Sequence, residues 1–450
     1  MKTRILICGF LLAAAAPLFA QQQPATMTLP DALDIAQRSN PAYRRAVVDA
    51  NLAGADVLTS WGSFLPTLDA SMSWSGNRST TVTGTDDFGQ TVRLPDAVTF
   101  RSSTVTQSIS SRMTIFDGFR NVNNLRAAQL DEAAAYYGVD ASSIAVEAQV
   151  KRGFYETIQR QRLVDVEQQL LASAEERLDA NRRLFRVASA SQADVLGAQV
   201  DVASRRQQVD RAIGEARKAR LRVLEQLGVL DESLDFDPEG EFPVPFDPSA
   251  LEADALVKQA LAIGPTVAQA QSRLEAAGRR RGAARAERLP SIGVSGSFRR
   301  SLRERDYSAF FDLNPLDRGW NFGLSVSLPV FSGFQISQRT AQANAAVRRA
   351  DESYREANLR VEQGVRSALI DLRNAWDGLE IQRRSTDLSR RRVQLAREEF
   401  RMGTIPFINL QSVIGQADAA ERALVDAEYS FAIALVNLEE QVGGPIAHPE

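Results

Sequence analysis

The chain has 450 residues, and its 53 lysines and arginines nearly balance its 56 aspartates and glutamates, which leaves a formal charge of −3 near neutral pH. So small a net charge gives no reason to expect a nucleic-acid partner. A single histidine and a single cysteine, Cys8, argue against a disulfide framework, a thiolate metal site and a cysteine nucleophile.

The first twenty residues predict a secretory signal peptide. Basic residues at Met1–Arg4 precede an apolar run from Ile5 to Phe19, and Ala20 stands before three glutamines. The alternative, an N-terminal membrane anchor, would need about 20 apolar residues. An exported chain without a later long apolar stretch is periplasmic, secreted, or a barrel in the outer membrane.

Two halves of the chain repeat each other. Phe116–Phe119 (FDGF) recurs in the second half as Phe331–Phe334 (FSGF), and Pro66 recurs as Pro290 at a slightly wider spacing. The difference between the two spacings makes the first copy nine positions longer between these landmarks, which indicates a longer loop on otherwise matched scaffolds. A duplicated unit of this length points to a structure with two equivalent walls.

Four short segments alternate between apolar and small polar residues, a period-two pattern that predicts strands with one apolar face. They cover residues 67–74, 104–115, 291–298 and 320–330. About ten residues tilted by about 45° span an apolar band of roughly 25 Å, and aromatic residues gather at the strand ends as they do at membrane interfaces. Half-buried strands of a soluble sandwich would alternate too, so periodicity leaves that alternative open.

Almost everything else is predicted to be helical, with apolar residues at spacings of three and four. Two proline-free stretches, 118–187 and 333–402, predict helices of about 70 residues, each roughly 105 Å long. Helices of that length should pair sideways as coiled coils. Breaks at 188–191 and 403–406 return the chain into helices of about 40 residues. Shorter helical stretches are predicted at 29–64 and 251–289, ahead of each strand pair.

These patterns divide the chain into five parts. Residues 1–20 are the signal peptide, 21–230 the first repeat, 231–250 an acidic, proline-rich linker, 251–444 the second repeat, and 445–450 a short tail. The polar stretches 75–99 and 299–319 are predicted to be irregular hairpin loops, the first of which contains the nine extra residues.

Four strands cannot close a membrane barrel. A closed barrel needs at least about eight strands, and an open sheet edge in lipid leaves backbone groups without hydrogen-bond partners. The chain is therefore expected to share its barrel with copies of itself, and two, three or four copies would give eight, twelve or sixteen strands. The serine- and threonine-rich strand face suits a wet lumen that continues into a helical tunnel.

At these element boundaries the chain resembles the TolC-type outer membrane efflux proteins, the exit ducts of bacterial multidrug pumps and type I secretion systems. Asp31–Ala42 is similar to the opening helix of that family, Leu328–Gly333 to its strand-to-helix junction, and Phe400–Thr404 to the turn at its periplasmic helix tip. The resemblance runs from about Leu29 to Gly444. It implies a mainly α fold with membrane β, in which each protomer is a duplicated unit of four β-strands and long coiled-coil helices. A homotrimer would form a shared twelve-stranded barrel on a twelve-helix periplasmic tunnel, in the outer membrane of a Gram-negative bacterium.

The resemblance also implies partners and places their docking at the helix tips. The implied partners are a periplasmic adaptor (membrane fusion) protein, an inner membrane transporter and outer membrane lipid. The alternative for the tips is an ordinary hairpin turn. The first tip departs from the family pattern, which commonly has glycine where Ala188 stands. The candidate docking residues are Arg186, Val187, Ala188 and Ser189 in the first tip and Arg401, Met402, Gly403 and Thr404 in the second.

The predicted function is therefore a passive outer membrane duct of a tripartite efflux pump or type I secretion system, for drugs, small molecules or protein. An enzyme, a periplasmic helical scaffold and a periplasmic adaptor without a pore are the alternatives. The sole histidine, His448, is near the end of the chain, and no phosphate-binding loop, metal-ligand cluster or nucleophile elbow is found. We therefore expect no enzymatic activity, cofactor or metal. Strands long enough to span a membrane argue against a scaffold. An adaptor would need only one helical hairpin, whereas this chain has two.

Three positions are candidates for the periplasmic entrance: Asp194, Asn409 and Ser412. Relatives close this entrance with rings of aspartate, and the second-hairpin positions here are the uncharged Asn409 and Ser412. Because three acids on one axis attract cations, we predict a weaker cation preference than an aspartate ring would give. Strong cation selectivity in single-channel recordings that disappears in Asn409→Ala or Ser412→Ala would contradict this prediction.

Overall fold

The computed structural model describes residues 25–187, 191–229 and 236–446. In these ranges the chain forms eight α-helices and six β-strands. The helices are α1 (Leu29–Ser39), α2 (Pro41–Gly62), α3 (Arg120–Arg186), α4 (Gln192–Leu227), α5 (Ala253–Ile263), α6 (Pro265–Ala286), α7 (Gln335–Arg401) and α8 (Phe407–Val442). The strands are β1 (Ala25–Thr28), β2 (Thr67–Thr85), β3 (Thr91–Phe116), β4 (Phe236–Glu239), β5 (Ser291–Glu304) and β6 (Asp317–Ser327). The predicted signal peptide and the end of the predicted tail lie outside the described residues.

The helix bounds confirm the duplicated unit and its two spacings. Helices α3 and α7 both have 67 residues, α4 and α8 both have 36 residues, and the two pairs begin at the same spacing along the chain. Helices α1 and α2 recur as α5 and α6 at a common spacing that is nine positions wider. Within the described ranges, none of the helices has both the length and the apolar character needed to cross a lipid bilayer.

The two helical stretches predicted ahead of the strand pairs are each divided into two helices. Asn40 and Gly264 interrupt them with extended backbone, at ψ values of 124° and 117°. Each precedes a proline, whose ring disfavours helical backbone in the residue before it. The interruptions therefore follow from Pro41 and Pro265.

The chain divides into two compact units, and each contains parts of both repeats. Of the described residues, those within 1–40, 147–246 and 374–436 form one unit, and those within 41–146, 247–373 and 437–450 form the other. The long helices α3 and α7 contribute residues to both units.

The second unit contains an antiparallel sheet with the strand order β2-β3-β5-β6. The four predicted strands are all present. Strands β2 and β3 are longer than predicted, because they continue as a hairpin through most of 75–99, and only residues 86–90 connect them. The prediction of an irregular loop was wrong for most of this segment. Strand β6 ends at Ser327, before the predicted limit at 330, and Pro329, which has no backbone donor, follows.

The first unit contains a small sheet that the sequence did not predict. Strands β1 and β4 pair in parallel, with Ala25 opposite Phe236 and Thr28 opposite Glu239. Strand β4 lies in the predicted linker, and Phe236 is buried. Farther along the linker, the ring of Phe242 lies 6.2 Å from that of Tyr155 on α3. This part of the linker is therefore packed against the helices of the first unit.

Each helical hairpin of the first unit has an apolar seam near its tip. Between α3 and α4 the seam consists of Ala174, Leu178, Ala198 and Val202, with Leu171 and Val195 beside them. Between α7 and α8 it consists of Ala396, Leu410 and Ile414, with Val393, Phe400, Ile405 and Val413 beside them. These sideways contacts are those expected of coiled-coil pairing.

The repeated FxGF segments form the junctions between strand and helix. Gly118 and Phe119 both have left-handed backbone, with φ values of 72° and 69°, and Gly333 and Phe334 repeat this with 57° and 67°. Such backbone is strained for phenylalanine. In each junction the two phenylalanine rings pack edge to face, with centroids 5.4 Å apart for Phe116 and Phe119. The recurrence of the motif therefore reflects a recurring chain reversal.

We predict that Gly118→Ala destabilises the protein more than Gly333→Ala. Both variants force an alanine into left-handed backbone, which costs about 1–2 kcal/mol. At Gly118 the new Cβ would also lie 2.8 Å from the carbonyl oxygen of Ala286, whereas at Gly333 nothing lies within 4 Å. Thermal unfolding of the purified protein in detergent should show the larger loss for Gly118→Ala, and equal losses would contradict the prediction.

Candidate functional site

The four-stranded sheet has one apolar face, and most of its side chains are exposed, although Val105 is buried. The exposed fraction of Phe322 is 79% and that of Leu324 is 71%. The strand register places these apolar side chains on one face: Leu68, Met72 and Trp74 of β2, Val105, Ile109 and Met113 of β3, Val294 and Phe298 of β5, and Trp320, Phe322, Leu324 and Val326 of β6. Apolar surface of this extent marks a contact with lipid or protein.

The opposite face of the same sheet is small and polar. Its side chains include Thr67, Asp69, Ser71 and Ser73 of β2, Thr104, Thr106, Ser108 and Ser110 of β3, Ser291, Ser295 and Ser297 of β5, and Asn321, Ser325 and Ser327 of β6. Across the strands, the hydroxyls of Ser71 and Ser108 lie 2.8 Å apart, and a guanidinium nitrogen of Arg299 donates to Thr106 Oγ1 at 3.3 Å. A face of this composition suits contact with water.

The tip of the second hairpin ends α7 with a left-handed glycine. Gly403 has a φ of 73°, its N–H donates to Phe400 O at 3.0 Å, and the N–H of Thr404 donates to Glu399 O at 2.9 Å. This pair of bonds is the Schellman arrangement, which satisfies the last carbonyls of a helix. Arg401, Met402, Gly403 and Thr404 are all exposed.

The tip of the first hairpin begins α4 with a reciprocal cap. Arg186 and Val187 are exposed at the end of α3, whereas Ala188 and Ser189 lie outside the described residues. Ser191 Oγ donates to Asp194 Oδ2 at 2.7 Å, and the N–H of Asp194 donates back to Ser191 Oγ at 3.2 Å. The hydrogen bond from the Ser191 hydroxyl, and then that from its backbone N–H, lowers the pKa of Asp194.

The second-hairpin candidates at the entrance lack this cap. Pro406 and Asn409 are the counterparts of Ser191 and Asp194 in the second repeat, and the N–H of Asn409 donates to Pro406 O at 3.0 Å. Asn409 and Ser412 are exposed near the start of α8. The duplicated positions therefore differ, because a capping carboxylate in one hairpin corresponds to a neutral amide in the other.

A cavity of about 490 Å³ lies at the tips, between the end of α3 and the α7–α8 hairpin. Of the predicted tip residues, Arg401 lines it. Phe400, which belongs to the predicted turn motif, also lines it. The sequence pattern did not point to the other lining residues: Arg177, Ala180, Asn181, Leu184, Gln394, Arg397, Glu398, Leu410 and Ile414. Asn181 is 5% exposed, and its Nδ2 has no hydrogen-bond partner among the described residues. The cavity thus combines an apolar wall, charged residues at its rim and one unsatisfied donor.

A network of ion pairs joins three of the helices, and Arg177, which lines the cavity, belongs to it. Arg205 of α4 contacts Asp418 of α8 at 2.6 Å and Asp201 at 3.5 Å, and Arg177 of α3 contacts Asp201 at 2.9 Å. The side chain of Asp418 is buried, and desolvation raises its pKa, although Arg205 opposes this. Because an unpaired buried charge is costly, the network ties α3, α4 and α8 together.

Comparisons with known proteins agree with this architecture. The family model described as "Outer membrane efflux protein" matches residues 32–229 and 256–444. Protein CyaE of Bordetella pertussis is 26% identical over 358 residues, which are 78% of this chain and 70% of that protein. Outer membrane efflux protein BepC of Brucella suis is 22% identical over 348 residues, 76% of this chain and 72% of that protein. The solved CmeC outer membrane channel of Campylobacter jejuni superposes with a TM-score of 0.74 at 17% identity, covering 98% of this chain and 94% of that one.

We predict that Ser191→Ala loosens the first turn of α4. Loss of an N-cap costs about 1 kcal/mol, so hydrogen–deuterium exchange of the first-turn amides should accelerate roughly fivefold at neutral pH. Because the folded pKa of Asp194 is lowered, its contribution is complete above the unfolded value of about 3.9 and is lost as the pH falls through the folded pKa. Ser412→Ala, at an exposed serine of α8, is the control. Unchanged exchange in Ser191→Ala would contradict the assignment of the cap.

Proposed function

The chain belongs to the outer membrane efflux protein family and is an exit duct of the outer membrane, and we propose that it works as a homotrimer coupled to a periplasmic adaptor and an inner membrane transporter. The resemblance to TolC-type proteins inferred from the sequence is confirmed by the family match. The alternatives of a periplasmic scaffold or an adaptor without a pore are set aside by the same match.

The observation that carries this proposal is the four-stranded sheet with one apolar and one polar face. Its edge strands are β2 and β6, and they run antiparallel to each other because the sheet contains an even number of antiparallel strands. Strand β6 of one copy can therefore pair with β2 of the next in the same antiparallel sense. Three copies would give twelve strands, with the apolar faces toward lipid and the polar faces toward the lumen.

The helix tips support the coupling to partners. The cavity there is within the size range of ligand pockets and has an apolar wall. We propose that an apolar side chain of the adaptor enters it, while Arg186, Val187, Arg401, Met402, Gly403 and Thr404 frame the contact. Ala188 and Ser189 stay predicted members of this surface.

Several further predictions stand as proposals. Asp194, Asn409 and Ser412 are proposed to line the periplasmic entrance, and the capping bonds of Asp194 hold its carboxylate ionised there. The division of the chain into signal, repeats, linker and tail stays a prediction, as does the expected absence of enzymatic activity. Drugs, small molecules or protein are the proposed cargo.

We predict that Leu184→Glu abolishes docking but not assembly. Leu184 lines the cavity and is 38% exposed, so a glutamate there can stay hydrated until a partner covers it. Burial of the carboxylate against the apolar wall then carries a desolvation penalty of several kcal/mol, even beside the arginines at the rim. In cells that depend on this protein for efflux, mild crosslinking should no longer capture the adaptor, and drug resistance should fall to the level without the protein.

Leu196→Glu is the matched control, because Leu196 is an exposed leucine at the start of α4 that does not line the cavity. Both variants should retain trimers on native gels, and the control should keep adaptor capture and resistance. Normal adaptor capture and normal resistance in Leu184→Glu would show that the cavity is not part of the docking surface.

A further inference from the structure

We propose that the apolar face of the sheet binds phosphate-bearing lipid headgroups of the outer leaflet through two pairs of arginines, Arg78 with Arg101 and Arg300 with Arg318. This rests on the proposed function, in that the apolar face is taken to contact lipid. The occupant is phosphorylated glycolipid of the lipid A class, whose phosphates are part of the membrane that surrounds the sheet.

The strand register places each pair directly across two neighbouring strands. Arg78 of β2 stands opposite Arg101 of β3, and Arg300 of β5 stands opposite Arg318 of β6. All four side chains are on the same face of the sheet as the apolar residues, because each is an even number of positions from an apolar residue of that face in its own strand. In β5 and β6, Arg300 and Arg318 are each two positions from an aromatic residue of that face, Phe298 and Trp320.

Both pairs lie just beyond aromatic residues, on the side of the hairpin turns. The rings of Phe298 and Trp320 are 4.5 Å apart, and the Arg300–Arg318 pair is the next one on that face. In the other hairpin, Trp74 is followed by the pair Gly76 and Ser103 and then by the arginine pair.

The loop after β5 covers that intervening pair. A Cβ on Gly76 would lie only 2.7 Å from the ring of Phe310 and 3.1 Å from that of Tyr307, and the N–H of Ala309 donates to Ser103 Oγ at 3.2 Å. In both hairpins the arginines thus follow aromatic residues. Aromatic side chains mark the boundary between hydrocarbon and headgroups in membrane proteins, so the arginines are at the level of the headgroups.

The two positive charges of each arginine pair favour the binding of an external anion. Like charges directly opposite in a sheet are destabilising, and none of the four arginines forms an ion pair within the described part of the chain. Arg300 donates to two neutral acceptors instead, Pro315 O at 3.2 Å and the side chain of Asn314. Guanidinium groups bind phosphate with two parallel hydrogen bonds, and a phosphate between two arginines would remove the repulsion in each pair.

The test is lipid binding by the purified full-length protein, measured by native mass spectrometry with added lipid A that carries both phosphates. The test variant is Arg78→Gln/Arg101→Gln/Arg300→Gln/Arg318→Gln. The matched control is Arg112→Gln/Arg299→Gln/Arg303→Gln, because these arginines belong to the two central strands but to the polar face. We expect at least tenfold weaker binding for the test variant, unchanged binding for the control, and weaker binding of dephosphorylated lipid by the unmodified protein.

Equal binding by the test variant, an equal loss in the control, or indifference to the phosphates would each overturn the proposal. Trimer formation and conductance in phosphatidylcholine bilayers are measured in parallel, and we expect both to persist in the test variant. If the unmodified protein itself formed no conducting trimer, the proposed function would have failed, and not the lipid contact alone.

Discussion

Unpaired backbone groups at a sheet edge in lipid are the constraint on which the rest of this structure depends. The sheet β2-β3-β5-β6 has two edges in the isolated chain, and its apolar face is exposed. Water does not reach either edge inside the hydrocarbon, so the backbone groups of each edge need another strand as their hydrogen-bond partner. Closure with further copies would remove both problems together, since it would pair the edges and turn the apolar face toward lipid. The polar face, rich in serine and threonine, would then surround an aqueous path.

Duplication provides the protomer with an even number of strands and with matched pairs of helices. Each strand pair is followed by a 67-residue helix and a 36-residue helix, and each passes into its long helix through the same left-handed pair of residues. The copies differ at the start of α4 and α8. The cap formed by Ser191 and Asp194 corresponds to Pro406 and Asn409, so one hairpin holds a carboxylate near the proposed entrance and the other does not.

Most of the architecture could be predicted from the sequence because its signals are local. A long stretch without proline predicts a helix, and a glycine such as Gly403 marks its end. A strand with one apolar face shows alternating apolar and polar residues, as residues 320–327 do. The hairpin extension of β2 was missed because residues 75–85 contain a single large apolar side chain, Val82, and therefore show no apolar face. Strands β1 and β4 were missed because short parallel strands that lie far apart in the sequence carry no local pattern. The cavity at the tips was missed for the same reason, since Leu184 and Ile414 meet only in the folded chain.

Disulfide crosslinking across the two sheet edges tests the shared barrel most directly, and the chain's single cysteine, Cys8, leaves a nearly clean background. Ser71→Cys on β2 would be combined in turn with cysteine at Asn321, Gly323 and Ser325 on β6, in the outer membrane of intact cells. The account predicts that at least one combination yields a covalent trimer on denaturing gels, whereas Ser71→Cys/Ser108→Cys, across neighbouring strands of one chain, stays at monomer size. Monomer in every combination, from protein inserted in the membrane, would contradict it.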